Sequence, residues 1–235
     1  MSEQAKGTSS QVNLKSFKRT VISRFTLLFI ILGSMFFLPA WTFKYWQAWV
    51  YMLILVVPMF FIIRYLYKND PELLKRRLRM NERQKTQRLI QIVMGPFFLL
   101  AFIIPGFDYR WHWSTVPLIV VIISEVLVLL SYLFIGLVFK TNSYASRIVE
   151  VEKGQKVITT GPYAIVRHPM YLGVLIMYVF SPLALGSYWA LIPMSLIIPI
   201  LFARIKEEEK ELLQNLAGYK EYLTKTRYRL LPGVW

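Results

Sequence analysis

The sequence feature that most constrains this fold is a series of apolar runs, each about as long as a helix that crosses a membrane. Four runs precede residue 140: Phe25–Phe43, Trp46–Ile63, Leu89–Phe107 and Val116–Phe139. A fifth block, Met170–Ala203, is too long for one span, and Gly186-Ser187 near its middle predicts a turn. Because a bilayer core needs about 20 helical residues, the pattern predicts an all-α integral membrane protein with about six transmembrane helices. The last two, Met170–Leu185 and Tyr188–Ala203, are expected to form a tight hairpin.

Composition supports a membrane protein and excludes several kinds of site. Hydrophobic residues make up 56% of the 235 residues and charged residues 17%, against about 45–50% and about 25% in soluble domains. A soluble globular enzyme and a disordered chain are therefore disfavoured. The absence of cysteine excludes disulfides, zinc–thiolate sites, iron–sulfur clusters and cysteine nucleophiles. Since His112 and His168 are the two histidines, no metal site is expected.

The basic residues are distributed unevenly between the connections. The formal net charge is +15, and every Lys and Arg except Lys44 and Arg110 falls in segments that six spans place on one side. Basic loops face the cytoplasm, so the sequence predicts a multi-pass protein with both termini cytoplasmic. The positive charge then reflects topology, and nucleic acid is not expected as a partner.

The chain is expected to have three parts. Residues 1–24 form a loosely ordered cytoplasmic tail, and residues 25–140 hold four spans and a basic cytoplasmic segment at 64–88. Residues 141–235 hold nearly all the candidate chemistry, in a cytoplasmic loop, the helical hairpin and a cytoplasmic C-terminal helix. The final tail ends in aromatic and apolar residues, so we expect it to be docked.

The basic segment contains signals for a short helix. Asp70 and Pro71 suit the N-cap and the first helical position, and leucines alternate with Arg76, Arg77 and Arg79 after them. The segment is either an interfacial helix on anionic lipid or a solvated basic loop.

The polar connection after the fourth span has a weak strand pattern. Residues 148–151 alternate weakly, Lys153-Gly154-Gln155 reads as a turn, and Val157-Ile158 then reads as a short strand. The pattern predicts a small β-hairpin that could cover a site at the membrane surface.

Polar residues cluster at the start of the fifth predicted span. Arg167, His168 and Tyr171 lie there, and Pro169 is tolerated in the first helical turn. A helix N-terminus with free N–H groups suits an anionic group such as a carboxylate. The alternative is that Arg167 reaches lipid phosphate and His168 caps the helix.

Acidic and basic residues follow the sixth predicted span. Arg204 and Glu208 are four residues apart and share a helix face, whereas Glu209 falls on the apolar stripe, which is unusual unless it faces a polar cavity. The hairpin brings these acids close to His168, where they could hold a cation or ribose hydroxyls. The alternative is a solvated, charged helix end. Arg229 in the tail could bind an anionic group or anchor the tail to lipid.

One acid, Glu125, lies inside the fourth predicted span. Acids within a membrane are candidates for function. The alternative is a packing role, with the acid neutral or hydrogen-bonded to a hydroxyl of another span.

An ordered set of motifs runs through residues 140–235. Its members are Asn142-Ser143-Tyr144, Val151-Glu152-Lys153-Gly154-Gln155, Gly161-Pro162-Tyr163, Arg167-His168-Pro169-Met170-Tyr171-Leu172-Gly173, Arg204 with Glu208-Glu209, Gly218-Tyr219 with Glu221-Tyr222, and Arg229-Leu230-Leu231-Pro232-Gly233. At these spacings the set resembles the signature of the isoprenylcysteine carboxyl methyltransferase family of integral-membrane methyltransferases. Asp70-Pro71-Glu72-Leu73-Leu74 is a weaker match.

The resemblance implies a reaction and a set of site residues. It implies S-adenosylmethionine as methyl donor and a lipophilic acceptor from the bilayer, with the site at the cytoplasmic membrane surface. The cofactor-binding residues that it implies are Gly161, Tyr163, His168, Pro169, Tyr171, Glu208, Glu209 and Arg229. The catalytic residues that it implies are Arg204, Glu208 and Arg167, with Arg204, or failing it Arg167, near the acceptor. A carboxylate acceptor needs no general base, whereas a lipid amine would need one, for which Glu209 or Glu125 is the candidate.

Two other functions are open for a membrane protein of this kind. Membrane sterol reductases have a similar C-terminal half and use NADPH, but their segment reads Arg-His-x-Asn-Tyr, whereas Pro169-Met170 stands between His168 and Tyr171 here. That departure favours methyl transfer. The other alternative is a non-enzymatic lipid-binding protein or small transporter, although transporters tend to show internal repeats, and none is evident. No oligomeric state is predicted.

Overall fold

The computed structural model describes residues 3–78, 85–146, 148 and 150–235. Within this part of the chain the regular structure is helical. The helices are α1 (Glu3–Ala40), α2 (Trp46–Asn69), α3 (Pro71–Leu78), α4 (Lys85–Trp111), α5 (Leu118–Thr141), α6 (Pro169–Ala184), α7 (Leu191–Asn215) and α8 (Tyr219–Lys225). A 3₁₀ turn at Gly161–Ala164 precedes α6. The prediction of an all-α protein is confirmed.

Four helices are long and apolar enough to cross a membrane. They are Ile22–Ala40 of α1, and α2, α4 and α5, which correspond to the four predicted spans that precede residue 140. Many of their large apolar side chains are exposed, such as Phe61, Leu100 and Leu133. Because lipid tails are as apolar as a protein core, these surfaces fit a membrane-embedded protein. The apolar helix α6 is shorter than these spans.

Helix α1 extends further toward the N-terminus than the predicted first span. Helix α1 begins at Glu3 and runs without interruption into the apolar segment that starts at Ile22. The sequence offers a physical reason, because the first proline in this helix is Pro39 and nothing earlier removes a backbone donor. The predicted first span, Phe25–Phe43, thus starts inside a longer helix, and residues 1–2 lie outside the described part.

The helices pack as a bundle around an aromatic core. Helix α5 packs chiefly on α6, α1 on α4, and α4 on α7. Phe36, Tyr51 and Phe102 meet at the centre with ring centroids about 6 Å apart. Their arrangement includes the edge-to-face geometry that aromatic rings favour.

A buried polar cluster closes the end of the bundle where α6 leads into α7. Asp108, near the end of α4, accepts hydrogen bonds from the backbone N–H and the hydroxyl of Ser114 at 2.8 and 2.5 Å and from the Ser187 hydroxyl. Tyr45 donates its hydroxyl to the carbonyl of Leu185. Gly186 has φ of 74°, which glycine adopts at little cost. This turn lies at the Gly186-Ser187 position that the sequence predicted.

Helix α3 forms as the capping signals predicted and packs on protein. Asp70 accepts the backbone N–H of Leu73 at 2.9 Å, and Leu73 and Leu74 are buried. Arg76 donates to Glu152 and Arg77 to the carbonyl of Ser146. The solvated-loop interpretation is therefore wrong, because the apolar face of α3 is buried. Arg79 lies outside the described residues.

The described residues of the connection between α5 and α6 do not form the predicted β-hairpin. Among the described residues of 142–168 there is no strand, and Val149 lies outside them. Backbone donors at the end of this connection pair instead with the C-terminal tail: Arg167 N–H donates to the carbonyl of Tyr228 and His168 N–H to that of Arg229, both at 2.9 Å. The C-terminal tail, which is distant in sequence, thus pairs with the residues just before α6.

Candidate active site

A polar pocket lies where the 142–158 connection, the start of α6, the last turns of α7 and helix α8 meet. It encloses about 100 Å³. Its walls combine acids, bases, tyrosines and aliphatic residues. The lining residues include Asn142, Tyr144, Ser146, Gln155, Val157, Tyr163, Arg167, His168, Pro169, Met170, Tyr171, Arg204, Glu208, Leu212, Leu216, Tyr219 and Tyr222.

A chain of hydrogen bonds crosses one wall of the pocket. Tyr171 donates its hydroxyl to Glu208 Oε2 at 2.6 Å, and Arg204 Nε donates to the same hydroxyl oxygen at 3.0 Å. Tyr171 comes from the first turn of α6, while Arg204 and Glu208 are one helical turn apart on α7. The contact therefore joins the start of α6 to the end of α7 and leaves a carboxylate and a guanidinium facing the same pocket.

Glu209 is the centre of a buried ionic cluster beside the pocket. Its Oε1 accepts Arg167 Nε at 2.7 Å and lies 3.3 Å from His168 Nε2, and its Oε2 accepts Arg229 Nε at 2.6 Å. Burial alone would raise the pKa of Glu209, but hydrogen bonds from His168, Arg229 and Arg167 outweigh it and lower the pKa to about 2. The carboxylate is ionised at neutral pH, which suits its position among cationic groups.

Arg167 is held by several acceptors. Besides Glu209, its Nη1 donates to the carbonyls of Thr226 and Arg227 at 2.9 and 2.6 Å. The side chain is 7% exposed. Arg167 therefore fixes the C-terminal tail against the start of α6 while one part of it lines the pocket.

Three tyrosines complete the pocket wall, and two of them, Tyr219 and Tyr222, are buried. Tyr163 accepts a hydrogen bond from Asn142 Nδ2 at 2.8 Å, and Tyr222 donates to the carbonyl of Tyr163 at 2.6 Å. Among the described residues, Tyr219 has no hydrogen-bond partner for its buried hydroxyl. Burial raises the pKa of Tyr163 and of Tyr219, and burial raises the pKa of Tyr222 to about 12. All three are neutral phenols at physiological pH.

The structure brings most of the sequence-predicted site residues to one pocket. Tyr163, His168, Pro169, Tyr171, Arg204, Glu208 and Arg167 line it. Glu209, Gly161 and Arg229 do not. Glu209 and Arg229 pair with each other just behind the wall, and Gly161 begins the 3₁₀ turn with φ of 58°. Their positions suit residues that hold the wall in place.

Glu125 lies inside α5, away from the pocket wall. It is 5% exposed, and within the described part of the chain neither carboxylate oxygen has a hydrogen-bond partner. Of the two forms of the packing interpretation, the described residues show no hydrogen bond to a hydroxyl, and a neutral acid without such a partner stays open.

Several pocket residues had no site role in the sequence predictions. Asn142, Tyr219 and Tyr222 were quoted for the family resemblance but were not assigned to ligand binding. Tyr219 and Tyr222 follow Gly218 and are three residues apart. This spacing places both on one face of a short helix, and it is the signal that could have identified them.

The site contains no evident metal centre. Among residues 3–78, 85–146, 148 and 150–235, no group of three or more His, Asp or Glu side chains is placed to hold a metal ion.

The fold and the site together define a multi-pass membrane protein with a buried polar pocket beside the ends of α6 and α7. Residues 118–214, which include α5, α6 and most of α7, match the sequence model of the isoprenylcysteine carboxyl methyltransferase family. The match covers less than half of the chain, and over this segment it confirms the predicted resemblance to that family. The match includes Arg167, His168, Tyr171, Arg204 and Glu208.

Two rice proteins are similar to the chain over the same general region. Both are named probable protein-S-isoprenylcysteine O-methyltransferase, one from Oryza sativa subsp. indica and one from subsp. japonica, and each is 32% identical over 127 residues. The aligned region covers 53% of this chain and 64% of each rice protein. The match thus spans just under two thirds of the length of these relatives.

Proposed function

We propose that the protein is an integral-membrane methyltransferase that moves a methyl group from S-adenosylmethionine to a lipophilic acceptor, most simply a carboxylate of the isoprenylcysteine type. The observation that carries the proposal is the Arg204–Tyr171–Glu208 chain in the pocket, within a segment that matches a methyltransferase family. The names of the two rice proteins support the same class of acceptor.

The residues of the pocket fit a methyl donor with a nucleoside and an amino acid part. Glu208 supplies acceptor oxygens for ribose hydroxyls or an ammonium group, and Asn142 and Gln155 supply amide groups. Leu212, Leu216 and Val157 give an apolar surface for a purine. The unpaired hydroxyl of Tyr219 is a further polar atom available to a ligand.

The pocket is small for such a ligand. At about 100 Å³ it falls below the roughly 300–1,000 Å³ of ordinary small-molecule sites. We therefore expect the 142–158 wall to move outward when the donor binds. The wall is a connection without strands among its described residues, so it can move without disrupting the helical bundle.

The chemistry places modest demands on the protein. When bound, the donor supplies a methyl carbon on a positively charged sulfur, which an ionised carboxylate can attack directly. The chain must align the reacting atoms about 3–3.5 Å apart and exclude water. Arg204 is suited to orient the acceptor carboxylate, since a guanidinium can bind carboxylate in a bidentate manner, and its link to Tyr171 fixes its position. No general base is required for this acceptor.

The remaining site residues have different proposed roles. Tyr163, His168, Pro169 and Tyr171 line the donor pocket, and Glu208 binds polar groups of the donor. Glu209, Arg229 and Gly161 act as positioning residues, because Glu209 and Arg229 bind each other behind the wall and Gly161 shapes the turn before α6. Arg167 links α6 to the tail and is the second candidate for contact with the acceptor.

We infer that α6 and α7 also lie in the membrane, which gives six spans with both termini and the pocket cytoplasmic. Contacts between the start of α6 and the end of α7, together with the turn at 185–190, support a hairpin. The absence of cysteine allows a direct test. In sealed right-side-out vesicles, Arg110→Cys should react with an impermeant maleimide, whereas Lys225→Cys should react only after permeabilisation. The reverse pattern would overturn the orientation.

The two alternatives receive no support from the matches above, which are to methyltransferases. Calorimetric titration of S-adenosylmethionine and, separately, NADPH into detergent-purified protein tests the proposal. We expect S-adenosylmethionine to bind and to be competed by its demethylated product. Binding of NADPH alone would indicate a reductase.

Two variants test the pocket assignment. His168→Ala and Glu208→Ala should abolish donor binding while circular dichroism shows an intact helical fold. Normal binding by both variants would overturn the assignment. Labelled methyl transfer to S-farnesylcysteine, and to a membrane lipid extract, then tests the class of acceptor.

A further inference from the structure

Two tyrosines of helix α8 occupy similar positions but have different hydrogen bonding. Tyr219 and Tyr222 are three residues apart, both line the pocket, and their ring centroids are 5.8 Å apart. The Tyr222 hydroxyl donates to the carbonyl of Tyr163 at 2.6 Å. The Tyr219 hydroxyl has no hydrogen-bond partner among the described residues, although Tyr219 is only 4% exposed.

An unpaired buried hydroxyl is costly in a folded protein. Most buried polar atoms have a partner, and an exception calls for an explanation such as a ligand. Phenylalanine at this position would keep the same ring packing against Leu216 and Val157 and avoid the cost. The presence of tyrosine therefore indicates that the hydroxyl is used by something that binds in the pocket.

The surroundings of Tyr219 determine what the hydroxyl can do. Burial, and then the charges of Glu209 and Glu208, raise the pKa of Tyr219. The phenol therefore stays protonated at physiological pH and can donate a hydrogen bond. Arg167 is the nearby cation that acts in the opposite direction.

The position of Tyr219 also distinguishes between the two reactants. The side chain packs with Leu216, Tyr222, Val157 and Leu212, in a cluster formed by α8 and the ends of its neighbouring segments. None of these residues belongs to the four helices that qualify as membrane spans. A lipophilic acceptor enters from the bilayer, so the water-soluble donor is the reactant that this side of the pocket meets.

We propose that Tyr219 is a ligand-binding residue that donates its hydroxyl hydrogen to an oxygen or nitrogen of the nucleoside part of the methyl donor. This inference rests on the proposed function, because it takes S-adenosylmethionine as the occupant of the pocket. It adds a contact that the sequence motifs did not assign.

The test compares three Tyr→Phe variants that each remove one hydroxyl. Tyr219→Phe should weaken S-adenosylmethionine binding about tenfold, since a hydrogen bond is lost in the complex, while the Tm of the ligand-free protein stays equal or rises. Tyr222→Phe should lower that Tm, because its hydroxyl pairs with Tyr163. Tyr228→Phe, at an exposed tyrosine outside the pocket lining, should change neither quantity.

The outcomes separate this inference from the proposed function. Calorimetry gives the Kd, and thermal unfolding in the same detergent gives the Tm without ligand. If wild type binds S-adenosylmethionine and Tyr219→Phe binds equally well, the inference fails and the proposed function stands. A fall in the Tm of Tyr219→Phe as large as that of Tyr222→Phe would show a structural partner and would also overturn it. No binding by wild type would overturn both.

Discussion

At the scale of single residues, the most consequential side chain is Glu209. One carboxylate receives two arginines and a histidine that come from the start of α6 and from the C-terminal tail. Removing one partner of a buried ion pair leaves an uncompensated charge and is strongly destabilising. The cluster therefore couples the folding of the tail to the geometry of the pocket.

The stability of the protein should depend on Glu209 in acid. The pKa of this residue is lowered from 4.5 to about 2 in the folded protein, so its stabilising contribution is present above pH 4.5 and is lost as the pH falls toward 2. We expect the Tm to decrease over this interval. Glu209→Gln should have a lower Tm at neutral pH and a shallower decrease.

The control for this experiment is Glu221→Gln, at an exposed glutamate of α8, which should keep the pH dependence of wild type. A Glu209→Gln variant with the same pH dependence as wild type would contradict the assignment of the acid-sensitive stability to this cluster.

Glu125 should reduce stability rather than increase it. Both carboxylate oxygens lack partners among the described residues, and burying an unpaired polar group costs about 1–3 kcal/mol. Glu125→Leu should therefore raise the Tm in detergent, and Glu125→Gln should leave the affinity for S-adenosylmethionine unchanged because the residue lies away from the pocket. A large loss of affinity in Glu125→Gln would show that the site extends into the bundle.

At the scale of elements, helix α3 acts as a clamp on the wall of the pocket. Arg76 Nε contacts Glu152 at 3.0 Å and Arg76 Nη1 donates to the carbonyl of Ser143 at 2.8 Å. Arg77 donates to the carbonyl of Ser146 and lies over the ring of Phe139 at 4.7 Å. A helix outside the segment that matches the family thus holds the connection that covers the pocket.

Reversing the charges of this clamp tests its role. Arg76→Glu should lower the stability by about 1 kcal/mol, because the ion pair is partly exposed, and should weaken donor binding a few-fold. The double variant Arg76→Glu/Glu152→Arg should recover part of both losses. Lys75→Glu, at an exposed neighbour, is the matched control. An unchanged donor affinity in Arg76→Glu would show that the contacts of α3 with the pocket wall do not support donor binding.

Local signals in the sequence predicted part of this arrangement. Asp70 and Pro71 predicted the start of α3, since capping chemistry lies within one helical turn. The partners of Arg76 could not be predicted in the same way, because Ser143 and Glu152 are 67 and 76 residues away along the chain. The alternation at 148–151 is also a local signal, and the strands that it predicted are absent among the described residues of this connection.

The candidate site, too, could be predicted from the sequence only in part, because its contacts join residues that are distant along the chain. The position of Glu209 on an apolar helix stripe predicted a polar environment, and the structure has one. It could not predict that two arginines and a histidine would occupy both oxygens, which leaves Glu208 rather than Glu209 to face the pocket. The spacing of the motifs predicted which elements meet at the site, whereas the contacts between their side chains depend on tertiary packing.

At the scale of the whole molecule, polar clusters fix the two ends of the α6–α7 pair. The pocket joins them at one end, and Asp108 joins α4 to the turn between them at the other. The aromatic core lies between these ends. The two clusters share no residue, so their contributions to stability and to ligand binding should separate.

Removing the Asp108 carboxylate tests this separation. Asp108→Ala leaves the Ser114 and Ser187 donors unpaired and should destabilise the protein by about 2–3 kcal/mol, measured as a fall in Tm. Protein that remains folded at low temperature should bind S-adenosylmethionine as wild type does, because the pocket is at the opposite end. A matched loss of affinity would show that the two ends are coupled.

The narrowness of the pocket has a consequence for the kinetics of turnover. If a site of about 100 Å³, whose wall is held by α3, opens to admit the donor, it opens again to release the demethylated product. In enzymes with such coverings the slow step is often product release rather than chemistry. Rapid mixing of enzyme, donor and acceptor should then give a burst of methylated product followed by a slower steady state, and loosening the clamp should speed the steady phase while leaving the burst rate unchanged.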